Sequence, residues 1–400
     1  MISVRDAQAH ILDRITSPAP PELLPLAAAL GRVLAEDVRS EMDVPPTANS
    51  AVDGYAVAAA DIPAAGTRAL EVVGELAAGA VFTGVLGSNQ ALRIMTGAPM
   101  PAGADSVYLQ EFVQRAGDRV IVGPMTAGAN VRHRGEDVRA GAVVLSAGTV
   151  LRPQEVGVAA SLGLAQLLVR QKPRVAILST GDEVAEPGTV RKPGQIFDSN
   201  RFSLRGLVEA AGALAVDDGI VPDQFDELHA RLIRAAEHAD VVLTSGGVSV
   251  GDYDLVKSVL QQAGGIDFWQ VAMQPGRPLA AGSIGRAHFF GLPGNPVASM
   301  LTFHLFVRPA LWKLAGRREL FVQPFHATAA EPLSKKAGRR EFKRGILSWA
   351  KDRWEVRTTG PQGSGILTSM TAANCFIVIE EERGDVEAGE TVWVEPFQPL

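Results

Sequence analysis

The chain has 400 residues, of which 46% are hydrophobic and 20% charged. At about 100–200 residues per domain, this length predicts two to four domains, and the composition excludes a disordered, collagenous or coiled-coil chain. The net charge of −6 argues against a general nucleic-acid-binding protein, because such proteins normally carry a basic excess.

The cysteine content and the apolar runs narrow the class of protein further. The single cysteine, Cys375, excludes an intrachain disulfide and any zinc site that needs two thiolates. The first residues are charged and amphipathic, unlike a signal peptide, and no apolar run approaches the roughly 18 residues that span a bilayer. We therefore expect a cytoplasmic protein that binds neither membranes nor nucleic acids.

The pattern of apolar residues in the first half of the chain changes from helical to β-like and back to helical. Apolar spacing predicts a helix over residues 3–15. From about residue 45 to 148, short apolar runs separated by glycine and proline predict a small β-rich domain. A helix is expected over residues 151–164, and the strongly apolar stretch 156–169 is interpreted as a buried helix.

Between residues 174 and 316, strand and helix patterns alternate, which predicts a parallel sheet covered by helices on both faces. Ligands bind beyond the carboxyl ends of the strands in such sheets. The predicted strands cover residues 174–178, 214–216, 240–244, 268–273 and 288–291. The predicted helices cover residues 200–210, 225–237, 254–262 and 296–314.

The end of the chain returns to a β pattern. Residues 345–350 and 354–358 flank a short polar segment and predict a hairpin. Two more strands are expected over residues 375–380 and 391–395. These patterns predict a C-terminal β domain.

Two adjacent carboxylates, Asp182 and Glu183, follow the first strand of the alternating region. Carboxylate oxygens beside a glycine at a strand end suit a hard cation such as Mg²⁺. A helix cap with a dipole-stabilising glutamate explains the same residues equally well, and both interpretations stay open here.

A glycine-rich loop follows the third strand and contains Ser245, Gly246, Gly247 and Ser249. Bare backbone N–H groups and hydroxyls converge readily on an anion, so we favour phosphate or oxyanion binding over a plain connection. The loop lacks the Gly-Lys-Ser/Thr ending of a Walker loop. Asp254 closes it, as a metal or water ligand or as a helix cap.

Two further loops carry candidate anion donors. Arg277 lies between proline and glycine turns. Its guanidinium is either held in one orientation that binds an oxyanion or exposed to solvent. The loop 291–299 is stiffened by two prolines and opens into a helix, with Pro296 in the first turn and free N–H groups near Ser299. A tight strand-to-helix turn is compatible with that interpretation.

The β-rich region adds Asp53, Thr96 and Asp137, each near glycine in a predicted turn. Alone, each is explained more simply as an Asx turn or a turn hydroxyl than as a catalytic residue. The histidines show no ligand spacing, and the chain contains no Gly-x-Ser-x-Gly nucleophile motif. The sequence therefore indicates charge stabilisation and positioning without a covalent intermediate.

Eight short segments occur in order along nearly the whole chain: residues 49–55, 93–98, 135–137, 179–183, 198–200, 245–251, 275–276 and 291–296. Together they resemble the molybdopterin molybdenumtransferase family (MoeA in bacteria), to which the gephyrin E domain is related. The resemblance implies a transferase of molybdenum cofactor biosynthesis. Such an enzyme inserts molybdenum from molybdate into adenylylated molybdopterin and releases AMP with the help of Mg²⁺.

The resemblance also implies a multidomain α/β plus β fold in an elongated homodimer. A central three-layer α/β domain with a mostly parallel sheet, MogA-like and molybdopterin-binding, would comprise residues 1–22 with 173–320. A linking and dimerisation domain would comprise residues 23–44 with 147–172. Residues 45–146 would form the small β-rich domain, and residues 321–400 a C-terminal β-barrel-like domain.

By the same resemblance, the active cleft lies between the α/β domain of one subunit and the small β domain of the other. The partner subunit would contribute the first three of the implied catalytic residues: Asp53, Thr96, Asp137, Glu183, Asp223, Asp254, Pro293 and Pro296. The implied substrate- and anion-binding residues are Ser245, Gly246, Gly247, Ser249, Arg277 and Ser299. The implied metal ligands are Asp182 and Glu183.

One departure from the family pattern bears on anion binding. Gln270 and Gln274 stand where two lysines are usual, and Arg277 stands where another lysine is common. Two alternative functions stay open for the chain: a molybdopterin adenylyltransferase and a non-catalytic pterin-binding scaffold. If the chain is instead the molybdenumtransferase, a separate molybdopterin adenylyltransferase is a candidate partner.

Overall fold

The computed structural model describes residues 1–246 and 264–398, together with Val259 and Gln262. The chain forms two compact units. Residues 36–147 and 153–166 form the smaller, which we call the β unit. Residues 1–35, 148–152 and 167–400 form the larger, which holds an α/β domain and a C-terminal barrel. The multidomain α/β plus β class is confirmed, and the four predicted domain boundaries stay a prediction.

The β unit is built on one sheet, in which the described strands lie in the order Ser106–Leu109, Gly54–Val57, Gln90–Ile94, Arg68–Leu76, Arg119–Val122 and Gln114–Ala116. Neighbours are antiparallel, except that Arg68–Leu76 and Gln90–Ile94 run parallel. Alternating apolar side chains from these strands are fully buried, among them Val57, Leu70 and Val107, because successive residues of a strand face opposite sides of the sheet.

Short elements complete the β unit. Asn49–Ser50 pairs with Val131–Arg132, and Val38–Arg39 pairs with Val143–Leu145. The helical elements are Ala59–Asp61, Gln110–Phe112 and Pro153–Ser161. Pro153 occupies the first position of its helix, where the missing N–H costs little.

The α/β domain contains a mixed sheet with the described strand order Leu214–Val221, Arg174–Thr180, Val241–Ser245, Ala287–Leu292, Pro278–Ile284 and Gly264–Gln270. The first four strands are parallel, and the last two add as an antiparallel hairpin. The turn of that hairpin therefore lies at the edge where the parallel strands end, which we call the carboxyl edge. Ligands of open α/β sheets bind at this edge.

Helices and short strand pairs surround this sheet. The helices are Val4–Asp13, Asn200–Ala210, Phe225–His238, Pro296–Thr302, Phe303–Val307 and Arg308–Leu314. Ser3 caps the first of them, since its hydroxyl accepts the Asp6 N–H at 3.0 Å. Pro21–Pro25 pairs with Gln166–Arg170, Val184–Ala185 pairs with Ile196–Phe197, and Leu26–Ala28 is a 3₁₀ turn.

Two sequence-based predictions need correction, and a third is not tested. The apolar stretch 156–169 is not one helix, because the helix ends at Ser161 and Gln166–Arg170 is a strand. Short apolar runs do not distinguish the two by periodicity. The strand Pro278–Ile284 was missed, since its alanines and glycine have low β propensity. The predicted helix over 254–262 falls outside the described residues except for Val259 and Gln262.

The C-terminal domain is a closed barrel of five described strands: Arg340–Ala350, Arg353–Thr358, Phe325–Ala329, Thr391–Pro396 and Cys375–Ile379. The predicted hairpin is present, with both turn residues, Lys351 and Asp352, at positive φ. A short helix, Thr368–Ala372, lies between two strands.

One strand pair connects the barrel with the α/β domain. Met273–Gln274, in the hairpin turn at the carboxyl edge, pairs with Arg340 and Glu341 of the barrel. None of the described helices combines the length and apolar composition that a bilayer crossing requires.

Candidate functional site

Three strand ends meet around Gly246 at the carboxyl edge. Gly246 has a φ of +99°, and a Cβ at this position would lie 2.8 Å from the Thr180 carbonyl oxygen. A Cβ at Gly294 would lie 3.7 Å from the Gly246 Cα. Only glycine at position 246 therefore allows the loop after Val241–Ser245 to approach the end of Arg174–Thr180, whereas the distance at Gly294 is an ordinary van der Waals contact.

Asn200 connects two of these loops. Its side-chain amide donates to the Ser245 hydroxyl and to the Gly294 carbonyl, both at 2.7 Å. Asn200 begins the helix Asn200–Ala210, and the residue is 9% exposed. The predicted anion donors Ser245 and Gly246 thus lie against Asn200 and Gly294.

Several buried polar atoms at the ends of these strands and helices have no hydrogen-bond partner among the described residues: Ser179 Oγ, Thr180 Oγ1, Thr244 Oγ1, Asn200 Oδ1 and Ser299 Oγ. Burying a hydroxyl or amide without a partner costs about 1–3 kcal/mol. Such a concentration of unsatisfied groups in one region suits a polar ligand.

The predicted metal ligands lie beside this edge. The Asp223 N–H donates to Asp182 Oδ1 at 3.2 Å, while Asp182 and Glu183 are exposed. Within the described ranges, no three His, Cys, Asp or Glu side chains converge as a metal site. Two carboxylates match what Mg²⁺ takes from a protein when substrate phosphates and water supply the other oxygens.

A cavity of about 470 Å³ opens where the carboxyl edge approaches the barrel. Its lining comes from the hairpin turn, from the loop after Ala287–Leu292 and from the barrel: Gln274, Pro275, Gly276, Pro278, Pro293, Gly294, Asn295, Ala298, Glu341, Phe342, Arg344, Gln362, Gly363 and Ser364. Gly294 lines the cavity and also accepts the Asn200 hydrogen bond. Asn200, whose amide oxygen has no described partner, therefore contacts a residue of the cavity lining.

Arg344 is the residue of this cavity that sequence reasoning missed. It is 0% exposed and donates to Ser369 Oγ, Gln362 O and Gly363 O at 3.0 Å each, and to Pro361 O at 3.3 Å. Burial lowers the pKa of Arg344 from its usual value. Arg344 directly precedes the predicted strand 345–350, in a stretch that also holds Arg340, Glu341 and Lys343, so nothing in the sequence distinguished it.

The loop that Arg344 holds reaches the α/β domain. The Ser364 carbonyl accepts the Val297 N–H at 3.2 Å, in the first turn of Pro296–Thr302. Free N–H groups at a helix start require an acceptor. Here the barrel loop provides it, which fixes one wall of the cavity.

The β unit holds the remaining predicted residues, and two of them are in contact. Asp53 Oδ1 accepts the Thr96 backbone N–H and the Thr96 hydroxyl, both at 2.7 Å. These two bonds, the backbone one first, lower the pKa of Asp53. Asp137 is exposed, and its N–H donates to Val44 O at 3.0 Å.

The other predicted positions fall into two groups. Pro293 lines the cavity, Pro296 begins a helix, and Arg277 is exposed and is absent from the cavity lining. Gly247, Ser249 and Asp254 lie outside the described residues.

Comparison with protein families covers most of the chain. Residues 2–163 match the MoeA N-terminal region (domain I and II), residues 176–313 a probable molybdopterin binding domain, and residues 326–397 the MoeA C-terminal region (domain IV).

Individual relatives agree with these matches. The chain is 41% identical to a molybdopterin molybdenumtransferase of Haemophilus influenzae, covering 100% of both chains. It is 37% identical to molybdopterin molybdenumtransferase 2 of Mycobacterium tuberculosis, covering 98% of this chain and 99% of the relative. Its fold is similar to a crystal structure of the molybdopterin biosynthesis moeA protein from Pyrococcus horikoshii OT3, with a TM-score of 0.87 and 33% identity, covering 99% and 100% of the two chains.

Proposed function

The chain belongs to the molybdopterin molybdenumtransferase family, and from this premise we propose that it inserts molybdenum from molybdate into adenylylated molybdopterin and releases AMP. It is a transferase of molybdenum cofactor biosynthesis, as the names of its relatives across bacteria indicate. The adenylylated substrate, the release of AMP and a cytoplasmic location belong to the proposal.

The cavity beside Arg344 is the observation that carries the proposal. Its volume of about 470 Å³ falls within the usual range of small-molecule sites. The described contacts occupy four of the five N–H groups of the Arg344 guanidinium. A positive charge held in a buried position attracts an anion more strongly than a solvated one. We assign molybdate to this cavity.

The phosphate groups of the substrate would lie at the adjoining carboxyl edge. Ser245 and Ser299 supply hydroxyl donors there, and the hydroxyl of Ser299 and the amide oxygen of Asn200 are buried without a described partner. The Gly246 N–H already donates to Leu292 O at 3.1 Å, so Gly246 contributes only the close approach of the backbone. A phosphate that accepts the Ser299 hydroxyl, and a ribose hydroxyl that donates to the Asn200 amide oxygen, would offset the cost of their burial. Gly247 and Ser249 are proposed for the same role from the sequence.

The chemistry of the acidic pair fits a magnesium ion. Asp182 and Glu183 would hold it together with oxygens of the substrate, and the ion supplies charge neutralisation to the leaving phosphate when bound. The Asp223 N–H, which donates to Asp182 Oδ1 at 3.2 Å, fixes the direction of that carboxylate.

We propose further that the chain acts as a homodimer, and that Asp53, Thr96 and Asp137 of one copy complete the site of the other. Two observations support their participation. Asp53 is held ionised by Thr96, and Asp53 and Asp137 are both exposed on the β unit. Asp254, Pro293 and Pro296 remain proposed site residues on the α/β side.

The test is a turnover assay with purified protein, Mg²⁺, molybdate and adenylylated molybdopterin. We expect AMP release that depends on molybdate and that is strongly reduced in Glu183→Ala. Glu319→Ala, which removes an exposed acidic side chain that is absent from the cavity lining, serves as the control and keeps wild-type turnover.

Two other outcomes would contradict the proposal. Consumption of ATP with molybdopterin in the absence of molybdate would identify an adenylyltransferase. Tight molybdopterin binding without AMP release, unchanged by Glu183→Ala, would identify a non-catalytic pterin-binding protein.

A further inference from the structure

The carboxylate of Asp43 lies against a loop of the β unit, residues 134–140, that carries Asp137 at its centre. Asp43 Oδ1 accepts the Ala140 N–H at 2.9 Å, and Asp43 Oδ2 accepts the Arg134 Nε–H. Arg134 and Ala140 each lie three residues from Asp137. One carboxylate therefore holds both ends of the loop.

The backbone next to Asp43 holds the middle of the same loop. The Val44 carbonyl accepts the Asp137 N–H at 3.0 Å and the Val138 N–H at 3.1 Å, and the Val44 N–H donates to Val138 O at 2.7 Å. The Asp137 main chain is thus fixed by hydrogen bonds to the residue that follows Asp43.

The loop also packs closely on the Asp43 side chain. Gly135 has a φ of +66°, and a Cβ added there would lie 3.1 Å from Asp43 Oδ1. The Asp43 side chain is 16% exposed, whereas that of Arg134 is 70% exposed. The Ala140 N–H and then the Arg134 guanidinium lower the pKa of Asp43, so this acceptor stays ionised at neutral pH.

We propose that Asp43 is a positioning residue that fixes the direction of the Asp137 carboxylate for the transfer reaction. This inference rests on the proposed function, which places Asp137 in the site. Asp43 touches no predicted substrate group and acts through the loop of residues 134–140. A carboxylate displaced by about 1 Å from its productive position lowers turnover by as much as roughly 100-fold.

The test is a double-mutant cycle with Asp43→Ala, Asp137→Ala and the double variant in the AMP-release assay. We expect Asp43→Ala to lower kcat by about 10- to 100-fold. In the Asp137→Ala background it should change kcat by less than about twofold, because two residues that act as a unit are not additive. Asp43→Asn keeps an oxygen acceptor for the Ala140 N–H, so it should recover part of the lost turnover.

Asp61→Ala is the matched control. Asp61 also lies in the β unit, accepts a backbone N–H from Asn89 at 2.8 Å and pairs with Arg68 at 2.9 Å, but it holds a different loop. It should lower the melting temperature while kcat stays near the wild-type value. Arg134→Ala, which removes a mostly exposed side chain, replaces Asp43→Ala in the cycle if the latter fails to fold.

Three results would overturn the inference. Wild-type kcat in Asp43→Ala beside an impaired Asp137→Ala would overturn the inference alone and leave the proposed function standing. An equal loss of kcat from Asp43→Ala in both backgrounds would reduce Asp43 to a general structural role. Full activity of Asp137→Ala would remove Asp137 from the proposed site and the inference with it.

Discussion

The β unit and the carboxyl edge of the α/β domain both carry predicted site residues, but their polar atoms are satisfied to different degrees. In the β unit, Asp53 accepts two hydrogen bonds from Thr96, and Asp43 accepts bonds from Arg134 and Ala140. At the carboxyl edge, by contrast, five buried polar atoms have no partner among the described residues, against one, Asn49 Oδ1, in the β unit.

We interpret this difference as two ways of arranging polar groups for the proposed reaction: some are fixed by their neighbours, and others are completed by the ligand. The acidic loops are fixed by their own neighbours, so their geometry exists before any substrate binds. The polar groups of the carboxyl edge are buried without a compensating hydrogen bond within the described structure. A ligand that bonds to them therefore gains affinity. We therefore expect changes in the β unit to act mainly on kcat, and changes among the neutral polar groups of the carboxyl edge mainly on KM.

The largest effect on this comparison is expected from Arg344→Ala. The substitution leaves three carbonyls and a hydroxyl without their donor and opens a void, which destabilises the fold by about 3–5 kcal/mol. It also frees the loop that forms one wall of the cavity. Urea unfolding should show the loss of stability, and the KM for molybdate should rise by more than about tenfold.

Arg308→Ala is the matched control for that change. Arg308 is also buried and pairs with Glu395 at 3.1 Å, but it does not line the cavity. It should lose comparable stability while the KM for molybdate stays near the wild-type value. An unchanged KM in Arg344→Ala, or an equal rise in both variants, would show that the cavity is not the anion site.

A smaller effect is expected from Asn200→Ala, which removes both hydrogen bonds between the loops at Ser245 and Gly294. Two lost bonds correspond to a rise in KM of about tenfold for adenylylated molybdopterin, with kcat nearly unchanged. Asn374→Ala, which removes side-chain bonds to Leu347 in the barrel, should leave KM unaltered. A fall in kcat with an unchanged KM would contradict the expectation that changes at the carboxyl edge act mainly on KM.

The β unit is tested by the pH dependence of Thr96→Ala. Two hydrogen bonds from Thr96 lower the pKa of Asp53, and the substitution removes the one from the hydroxyl. The pKa of Asp53 should therefore rise toward its ordinary value of 3.8, and the acid limb of kcat/KM should move to higher pH, with the loss of rate confined to strongly acidic pH. Thr96→Ser keeps the hydroxyl and should retain the wild-type profile; an identical acid limb in Thr96→Ala would contradict the role of Asp53.

The smallest effect is expected from Gln274→Lys, which adds a positive charge at an exposed residue of the cavity lining. Exposed charge pairs contribute about 0.2–1 kcal/mol, so the KM for molybdate should fall by roughly 1.4- to fivefold at low salt. The gain should disappear near 1 M salt because of screening. Gln114→Lys, on an exposed strand of the β unit, should have no effect at either salt concentration.

Local patterns predicted much of this fold. The first helix, four parallel strands of the α/β sheet and the barrel hairpin were all expected from apolar periodicity and turn residues. The antiparallel strand Pro278–Ile284 was not expected, because its small residues pair through their backbone and carry little β propensity. The division of the stretch 156–169 into helix and strand depends on pairing with Pro21–Pro25, which is remote in sequence.

The candidate site shows the same limit. Glycine and proline loops predicted that Ser245, Gly246 and Pro293 lie at the carboxyl edge, where the structure has them, and their roles in the site stay predictions. Arg344 was not found, because its surroundings come from a loop about 18 residues later and only the folded barrel brings them together. Arg277, selected for its position between turns, proved to be exposed.

The central claim is that Asp53 and Glu183 act in one site assembled from two copies of the chain. Mixed dimers of Asp53→Ala and Glu183→Ala, prepared at equal amounts, test it most directly by AMP release. Half of the dimers are then mixed, and each mixed dimer holds one site with both carboxylates, so turnover should recover to about a quarter of the wild-type value. A mixture no more active than either variant alone would contradict the shared site.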